Sequence, residues 1–305
     1  MVDLKSKFTG GMVGSALGDA IGQIAFTYPQ EALLRSALKD LPEFRYTDDT
    51  AMAIGLAESI VESGGVDEQH LGKTFADNFA REPWRGYASG PPTVFSMVEK
   101  RGMTYTAAAK SLFGGQGSLG NGASMRIGPL GLFYYESQAI YEKASESAGV
   151  THAHPVGMDG AAVQALAVGR VVTLDPKQDF PAESYTEALI NIARTPEIKE
   201  KMRLVKKAII QGIPPDAAAD LIGRTVAVHE SMPFAVYSFV RHTQSFEDTV
   251  FCASMNGGDR DTLGAMAGAI SGAYLGIEAV PPSWRLRLEN QAYIIELATR
   301  LVEAM

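Results

Sequence analysis

The stretch GGMVGSALGDAIG at residues 10–22 and the stretch GAMAGAISGAYLG at residues 264–276 both place glycine at every fourth position. Residues four apart lie on the same face of an α-helix, so each stretch predicts a helix with one stripe that has no side chains. Each glycine lowers helix stability by about 1 kcal/mol relative to alanine, a loss that close approach of another backbone can offset. We therefore predict two central, tightly packed helices, whose glycines need no chemical role.

Helical spacing of apolar residues also characterises three stretches elsewhere, within residues 51–61, 161–171 and 293–301. Strict alternation of apolar and polar residues, which would indicate strands, is scarce. No long polar linker separates two halves, so we predict an all-α fold with residues 1–305 in a single domain. Closely spaced turn signals predict roughly a dozen helices joined by tight connections. These signals are Gly64–Gly65, Gly90–Pro92, Gly114–Gly115, Ile213–Pro215 and Val280–Pro282.

The charge and cysteine content exclude several classes of protein. With 27 Lys and Arg against 35 Asp and Glu, the 305-residue chain carries a formal charge of −8. This argues against a nucleic-acid-binding protein, because proteins of that class bind phosphates with clustered Lys and Arg. The single cysteine, Cys252, excludes an intrachain disulfide and a cysteine-based zinc cage. The apolar run Thr262–Ile277 is shorter than the roughly 20 residues that cross a bilayer. We therefore expect a protein that does not insert into membranes. The single cysteine suits a reducing compartment, so we expect a cytoplasmic protein. We also expect a monomer.

Two neighbouring acids precede the predicted helix at residues 51–61. The sequence there is Thr47-Asp48-Asp49-Thr50. Thr47 is suited to cap the helix, and an acid in the first turn interacts favourably with the helix dipole. Capping explains one acid easily. It explains two adjacent acids less well, because their mutual repulsion calls for a cation.

A second acidic cluster, Asn256-Gly257-Gly258-Asp259-Arg260-Asp261-Thr262, lies where the second glycine-striped helix begins. It lacks the acid spacing of an EF-hand loop, and its glycines and adjacent Thr do not fit a phosphatase-type Asp-x-Asp loop. Together the clusters offer four carboxylates and two hydroxyls, hard oxygen ligands that favour Mg²⁺ or Mn²⁺ over zinc or copper. Spacing alone leaves two interpretations open, a shared metal site and two independent helix caps.

A glycine-rich segment at residues 113–122, FGGQGSLGNG, contains the spacing Gly-x-Gly-x-x-Gly at positions 115, 117 and 120. A dinucleotide-binding fingerprint follows a strand, whereas a helical run at residues 107–110 precedes this segment, so we reject a Rossmann fold. Backbone N–H groups of such a loop can still bind a pyrophosphate. A plain flexible loop is the alternative. His152 and His154 lack partners for a zinc site, and from spacing alone we interpret both as structural.

These motifs, taken in order, strongly resemble the ADP-ribosylglycohydrolase family, which includes the dinitrogen-reductase-activating glycohydrolase. The resemblance spans nearly the whole chain, and the ordered set is specific although each motif alone is weak. The end of the chain looks most like the branch that removes ADP-ribose from serine and from poly(ADP-ribose). The matching segments are Gly18–Gly22, Tyr46–Met52, Arg85–Tyr87, Gly117–Arg126, Thr151–His152, Gly257–Thr262, Met266–Tyr274 and Pro281–Trp284.

The resemblance implies a compact, orthogonally packed bundle of helices with two Mg²⁺ ions, or Mn²⁺, in an active cleft. It implies hydrolysis of the glycosidic bond between ADP-ribose and a modified protein side chain or a related conjugate. By the same resemblance the catalytic residues are Asp48, Asp49 and Asp261, and the metal ligands are Thr47, Asp48, Asp49, Asp259, Asp261 and Thr262. The implied groove for ADP-ribose consists of Phe113, Gly115, Gly117, Ser118, Leu119, Gly120, Asn121, Gly122 and His152.

The chain departs from the family pattern at three positions. Phe26 stands where family hydrolases usually carry a Glu that positions the water or a metal, with Glu31 and Glu43 nearby in sequence. Leu119 stands where the serine-directed branch often has an aromatic residue, and Arg260 lies between two implied metal ligands. The alternative function is therefore that of a non-catalytic ADP-ribose-binding or structural relative.

Overall fold

The computed structural model of the chain describes residues 3–305. Within that range the chain forms eighteen α-helices and one short 3-10 helix, with no β-strand, which confirms the predicted all-α fold. The α-helices are α1 (Leu4–Thr27), α2 (Glu31–Asp40), α3 (Asp48–Ser63), α4 (Glu68–Arg81), α5 (Gly90–Arg101), α6 (Tyr105–Gly115), α7 (Gly122–Met125), α8 (Gly128–Phe133), α9 (Ile140–Gly149), α10 (Pro155–Val172), α11 (Ala182–Ile192), α12 (Pro196–Ile210), α13 (Pro215–Ile222), α14 (Val228–Arg241), α15 (Phe246–Met255), α16 (Arg260–Leu275), α17 (Pro282–Arg285) and α18 (Gln291–Glu303).

The helices α1 and α16 contain the two glycine stripes and form the centre of the fold. They make the most extensive contact of any helix pair within residues 3–305. At Gly14 and Gly18 an added Cβ atom would lie less than 3.0 Å from the carbonyl oxygens of Gly268 and Gly264, respectively. The stripes therefore face each other with the helices antiparallel, and the predicted tight packing of both helices is confirmed.

The antiparallel arrangement of α1 and α16 determines where the acids lie. Gly22, near the end of α1, faces the backbone of Arg260 and Asp261 at the start of α16. The helix α3 begins at Asp48 and packs against both α1 and α16. The two acidic segments, which are far apart in sequence, therefore meet beside the second half of α1.

A continuous apolar core surrounds this helix pair. Both helices are buried over most of their length, and α10 and α14 pack against α16. The rings of Phe180, Tyr185, Phe239 and Tyr274 meet edge to face, with centroids 5.1–5.9 Å apart. Edge-to-face contacts of this kind add to the stabilisation from burial alone. The packed centre thereby holds the ends of α1, α3 and α16 in fixed positions.

The apolar run Thr262–Ile277 forms most of α16, the helix predicted from the glycines at residues 264–276, and the 3-10 helix Ile277–Ala279 follows after Gly276. Every residue from Thr262 to Tyr274 is buried. Small residues dominate this run, which allows the backbone of α1 to approach. Among residues 3–305 no helix has both the length and the apolar character needed to cross a membrane.

Two details of the sequence prediction are wrong. Eighteen helices occur instead of a dozen, partly because α7, α8 and α17 span only 4 to 6 residues, which is too short to show apolar periodicity. The signal Gly90–Pro92 opens α5 instead of forming a turn between helices. Proline fits the first turn of a helix, because the N–H group that it lacks would have no partner within the helix.

Candidate active site

A cavity of about 530 Å³ lies where α3, α10 and α16 begin, a size typical of small-molecule sites. The cavity combines both acidic segments with the glycine-rich segment and the turn before α10. Thr47 and Gly115, two predicted site residues, are outside its lining. His154, which spacing led us to interpret as structural, is part of the lining. The other predicted residues in the lining are Asp48, Asp49, Phe113, Gly117, Ser118, Leu119, Gly120, Asn121, Gly122, His152, Asp259, Asp261 and Thr262.

Asp48 and Asp49 occupy the first turn of α3, with Thr47 at the N-cap position. The Thr47 hydroxyl does not cap the helix. It lies within hydrogen-bond distance of Asp19 Oδ1 (2.8 Å) and Asp49 Oδ2 (3.2 Å). The other oxygen of Asp49, Oδ1, is buried and has no hydrogen-bond partner among residues 3–305. Because buried polar atoms almost always have a partner, this oxygen is available to a ligand.

Asp19, which is not among the residues predicted for the site, supplies the missing cap. It is fully buried in α1. It accepts hydrogen bonds from the backbone N–H groups of Thr47 (2.9 Å) and Thr50 (3.1 Å) and from both their hydroxyls (2.8 and 2.6 Å). Asp19 therefore links α1 to the start of α3 and orients the two acids there. The only sign of this role in the sequence is that Asp19 is a single acid within the glycine-striped stretch at residues 10–22.

The segment before α16 reaches the cavity through a glycine turn. Gly257 and Gly258 have φ values of 84° and 72°, and a Cβ atom at Gly258 would collide with the Arg224 carbonyl group. Glycine is therefore required at that position. Asp259 follows the turn, and the side-chain amide of Asn121 donates to its Oδ2 atom at 2.7 Å. This bond connects the acidic segment to the glycine-rich segment.

Without a bound cation, burial and mutual repulsion raise the pKa values of the acids. Burial, followed by the nearby Asp19 carboxylate, raises the pKa of Asp48 to about 7. Burial, followed by Asp259, raises the pKa of Asp261 to about 7. The pKa of Asp49 is also raised, first by burial and then by the neighbouring acids. A cation among these groups would lower the pKa values again by stabilising the charged forms.

The donor set suits a hard divalent cation. It contains carboxylates, the hydroxyl-bearing Thr262 and the unpartnered Oδ1 atom of Asp49, and oxygen donors favour Mg²⁺ or Mn²⁺. Among residues 3–305 no three side chains of Asp, Glu, His or Cys are placed to hold one ion together. Hydroxyls, water or substrate would complete the shell of an ion bound by these acids, as is usual for Mg²⁺.

The glycine-rich segment is held along both edges. On one edge it lies against the turn before α10, where a Cβ atom at Gly117 would be only 2.6 Å from the His154 backbone nitrogen. On the other edge, Asn121 and Leu119 form backbone hydrogen bonds of 2.9 and 3.2 Å with residues 226–228. The backbone of the segment is thereby fixed at the cavity wall.

His152 lies beneath the glycine-rich segment and is uncharged. A Cβ atom at Gly122 would be 2.7 Å from its Cε1 atom, and its Nδ1 atom shares a hydrogen bond of 2.8 Å with the Thr151 hydroxyl. Burial, followed by the nearby cation Arg126, lowers the pKa of His152 to about 3. The ring is therefore a neutral hydrogen-bonding group in the cavity wall.

Apolar side chains form part of the cavity rim. Phe113 is 65% exposed and has a φ of 51°, a left-handed conformation that costs about 1–2 kcal/mol for a residue with a side chain. Strain of this kind is concentrated at ligand sites. Leu119 and Val226 are also exposed in the same lining. No sequence motif pointed to Val226, because it reaches the cavity only through its backbone pairing with the glycine-rich segment.

Two of the three departures from the family pattern lie outside the cavity. Phe26, at the end of α1, is half exposed and does not line the cavity. Glu31 and Glu43 form exposed ion pairs elsewhere on the surface, so neither takes the place of the usual glutamate. The Arg260 guanidinium points to α15, where it donates to the Ser254 carbonyl at 2.7 Å. Arg260 therefore does not place a cation among the acids.

Comparisons with known proteins agree with the fold and identify the family. The model of the ADP-ribosylglycohydrolase family matches residues 1–305. ADP-ribosylhydrolase ARH3 of Bos taurus is 30% identical over 93% of this chain and 89% of its own length. The Homo sapiens ARH3 is 29% identical over 93% of this chain and 90% of its own length. A solved structure titled ADP-ribosylglycohydrolase-related protein complex has the same fold, with a TM-score of 0.73, 22% identity and 99% of both chains covered.

The chain therefore belongs to the ADP-ribosylglycohydrolase family of enzymes, which confirms the resemblance identified from its motifs. Membership establishes an ADP-ribosyl hydrolase as its class and ADP-ribose or ADP-ribosylated molecules as the class of its substrates. An uncharacterized protein of Archaeoglobus fulgidus is a further relative, 29% identical over 98% of this chain and 97% of its own length.

Proposed function

We propose that this protein is a Mg²⁺-dependent hydrolase that releases ADP-ribose from a modified protein side chain or a related ADP-ribosyl conjugate. The proposal rests on one observation: the acids of α3 and α16 line the same cavity as the glycine-rich segment and His152. Acids that attract divalent cations and backbone N–H groups that attract a diphosphate are thus combined in one space. Mn²⁺ could replace Mg²⁺, because both ions prefer oxygen ligands.

Two segments of the chain would hold the cations. Bound divalent cations would fix the ribose hydroxyls and lower the pKa of a water molecule. The resemblance implies that Thr47 is a metal ligand. Its hydroxyl is within hydrogen-bond distance of Asp19 and Asp49, so we propose that Thr47 orients Asp49. Asp19 orients the same turn through its four hydrogen bonds. The proposed ligands are Asp48, Asp49, Asp259, Asp261 and Thr262.

The glycine-rich segment and the rim would bind the rest of the ADP-ribosyl group. The backbone N–H groups of Ser118, Leu119 and Gly122 would donate to the diphosphate, as glycine-rich loops do elsewhere. Those of Gly117, Gly120 and Asn121 already donate to Leu112, Ser118 and Val226. The exposed ring of Phe113, held in its strained conformation, offers a flat surface for the adenine. The neutral ring of His152 would contribute a hydrogen bond without adding charge.

Cleavage at the anomeric carbon of the ribose develops positive charge on the sugar ring. Ionised acids around the ring would stabilise that charge, and one of them would accept a proton from the attacking water. Within residues 3–305 no glutamate lines the cavity, so we assign proton acceptance to Asp48, Asp49 or Asp261. The water oxygen then bonds to the anomeric carbon as the bond from that carbon to the modified side chain breaks. The side chain leaves with the electron pair of that bond and takes up a proton equivalent to the one removed from the water.

Measurement of free ADP-ribose tests this proposal. The protein is incubated with ADP-ribosylated serine, ADP-ribosylated arginine and poly(ADP-ribose), each with Mg²⁺ and with EDTA. We expect release from at least one substrate with Mg²⁺ and none with EDTA. Release that persists in EDTA would contradict the role of the cations. Tight ADP-ribose binding without turnover of any substrate would instead support the non-catalytic relative, for which the aromatic Phe26 in place of the usual acid is the motivation.

The raised pKa values predict a pH-dependent stability in EDTA. Because the pKa values of Asp48 and Asp261 are raised to about 7, the folded protein keeps protons that the unfolded chain releases near pH 4. The stabilisation from these protons is complete below about pH 4 and is lost as the pH rises through about 7. We therefore expect the melting temperature in EDTA to fall between about pH 6.5 and about pH 8.

In this pH range the effect of the acids on stability can be measured apart from the effect of His152. The lowered pKa of His152 reduces stability only below about pH 6.5, where the unfolded histidine takes up a proton. Mg²⁺ should raise the melting temperature more at the upper end of the window, since it then displaces fewer protons. Circular-dichroism melts in EDTA and in Mg²⁺ measure both effects. A melting temperature in EDTA that stays constant or rises across the window would be inconsistent with the raised pKa values.

A further inference from the structure

His154 occupies the N-cap position of α10 and lines the cavity. Its Nδ1 atom accepts a hydrogen bond of 3.1 Å from the backbone N–H of Val156. A ring nitrogen that accepts a hydrogen bond has no proton, so the neutral ring is protonated at Nε2. The Nε2–H group is on the other side of the ring from Nδ1 and takes no part in the capping bond. The capping bond thus leaves the Nε2–H group free to donate to a ligand.

The glycine-rich segment brings His154 next to the loop that would bind the diphosphate. A Cβ atom at Gly117 would lie 2.6 Å from the His154 nitrogen and 2.7 Å from the Ala153 carbonyl carbon. With glycine at this position the two backbones are in contact. Gly117, Ser118 and His154 consequently line the same cavity. The packing of the loop on this turn explains why a histidine without a recognisable motif belongs to the site.

We propose that His154 determines specificity for the diphosphate of the ADP-ribosyl group by donating a hydrogen bond from Nε2 to a phosphate oxygen. The inference rests on the proposed function, because it assumes that ADP-ribose occupies this cavity. His152 has a different role, since its ring lies below Gly120 and Gly122. A hydrogen bond to a charged group is stronger than one between neutral groups. Loss of the His154 donor should therefore weaken binding by about 10-fold or more.

Two substitutions separate the capping bond from the proposed contact. In His154→Asn the side-chain oxygen can still cap α10, because Asn is among the best N-cap residues, but the side chain is too short to reach the position of Nε2. In His154→Gln the amide nitrogen can approach that position, whereas the capping bond is lost. We expect His154→Asn to melt like the wild type and His154→Gln to melt about 1–3 °C lower.

Calorimetry with ADP-ribose and with adenosine, which lacks phosphate, measures the contact. For His154→Asn we expect ADP-ribose affinity to fall about 10-fold or more while adenosine affinity is unchanged. His154→Gln should retain most of the ADP-ribose affinity despite its lower stability. If the hydrogen bond is equally strong in the substrate complex and the transition state, the Asn variant should have a higher KM and an unchanged kcat.

The results distinguish this inference from the proposed function. If the wild type binds ADP-ribose and His154→Asn binds it equally well, His154 makes no such contact and the inference is wrong. An equal loss of ADP-ribose and adenosine affinity in His154→Asn would also overturn it, because the contact would then not involve the diphosphate. If the wild type itself does not bind ADP-ribose, the proposed function is wrong and this inference with it.

Discussion

Replacing Gly18 by alanine should prevent folding or lower the free energy of unfolding by at least about 3 kcal/mol. A Cβ atom at Gly18 would lie less than 3.0 Å from the carbonyl carbon and oxygen of Gly264 and 2.9 Å from the nitrogen of Ala265. All these atoms belong to the backbone of α16, so no side-chain rotation can relieve the overlap. The helices α1 and α16 would have to separate, which would open the core around them.

Gly11→Ala in the same helix is the matched control. The atoms nearest to a Cβ at Gly11 are side-chain methyl carbons of Leu132, at 3.1 and 3.3 Å, and a leucine side chain can shift slightly. Alanine also favours the helix by about 1 kcal/mol relative to glycine. We expect Gly11→Ala to change stability by less than about 1 kcal/mol. Urea unfolding of both variants tests the packing, and equal destabilisation by the two substitutions would contradict backbone contact at the glycine stripe.

Asp261→Asn should lower Mg²⁺ affinity by at least about 100-fold, since even groups that only support a metal ligand affect affinity by about 10- to 100-fold. The substitution removes one negative charge and replaces a carboxylate oxygen with an amide nitrogen at the edge of the cavity. The side chain keeps nearly the same size, so the loss should appear in affinity more than in folding. Calorimetric titration with Mg²⁺ measures the effect, and the rate of ADP-ribose release should fall with it.

Asp216→Asn is a suitable control for Asp261→Asn. Both acids lie in the first turn of a helix, so both substitutions remove the same favourable interaction with a helix dipole. Asp216 is exposed and does not line the cavity. We expect its substitution to leave Mg²⁺ affinity unchanged. His154→Ala should likewise lower Mg²⁺ affinity far less than Asp261→Asn does. Equal losses of Mg²⁺ affinity for Asp261→Asn and either control would refute the assignment of Asp261 as a ligand.

The fold class could be predicted from the sequence because it depends on local patterns. Apolar residues at helical spacing identified α3, α10 and α18, and the glycine stripes identified α1 and α16 as central helices. The pairing of the two stripes could not be derived, since spacing along one helix does not indicate which backbone approaches it. The shortest helices were missed for a different reason: one turn contains too few residues to show a period.

The candidate site could be predicted where its residues form motifs and was missed where tertiary contacts bring residues in. The acids and the glycine-rich segment appear as compact motifs, and the structure brings most of them to one cavity. Asp19 caps a helix that begins far along the chain, and Val226 joins the lining through backbone pairing. His154 enters because the glycine-rich segment packs on its turn. Contacts of this kind leave no spacing signal.

The shared cation site can be observed directly in crystals grown with Mn²⁺, because manganese gives an anomalous scattering signal. We predict anomalous difference peaks inside the cavity, bounded by Asp48 and Asp49 on one side and by Asp259 and Asp261 on the other. Each ion should have oxygen ligands at about 2.0–2.2 Å, close to the distances found for Mg²⁺. A map from Mn²⁺-saturated crystals with no peak in the cavity, or with peaks that contact the acids of only one helix, would contradict a site formed by α3 and α16 together.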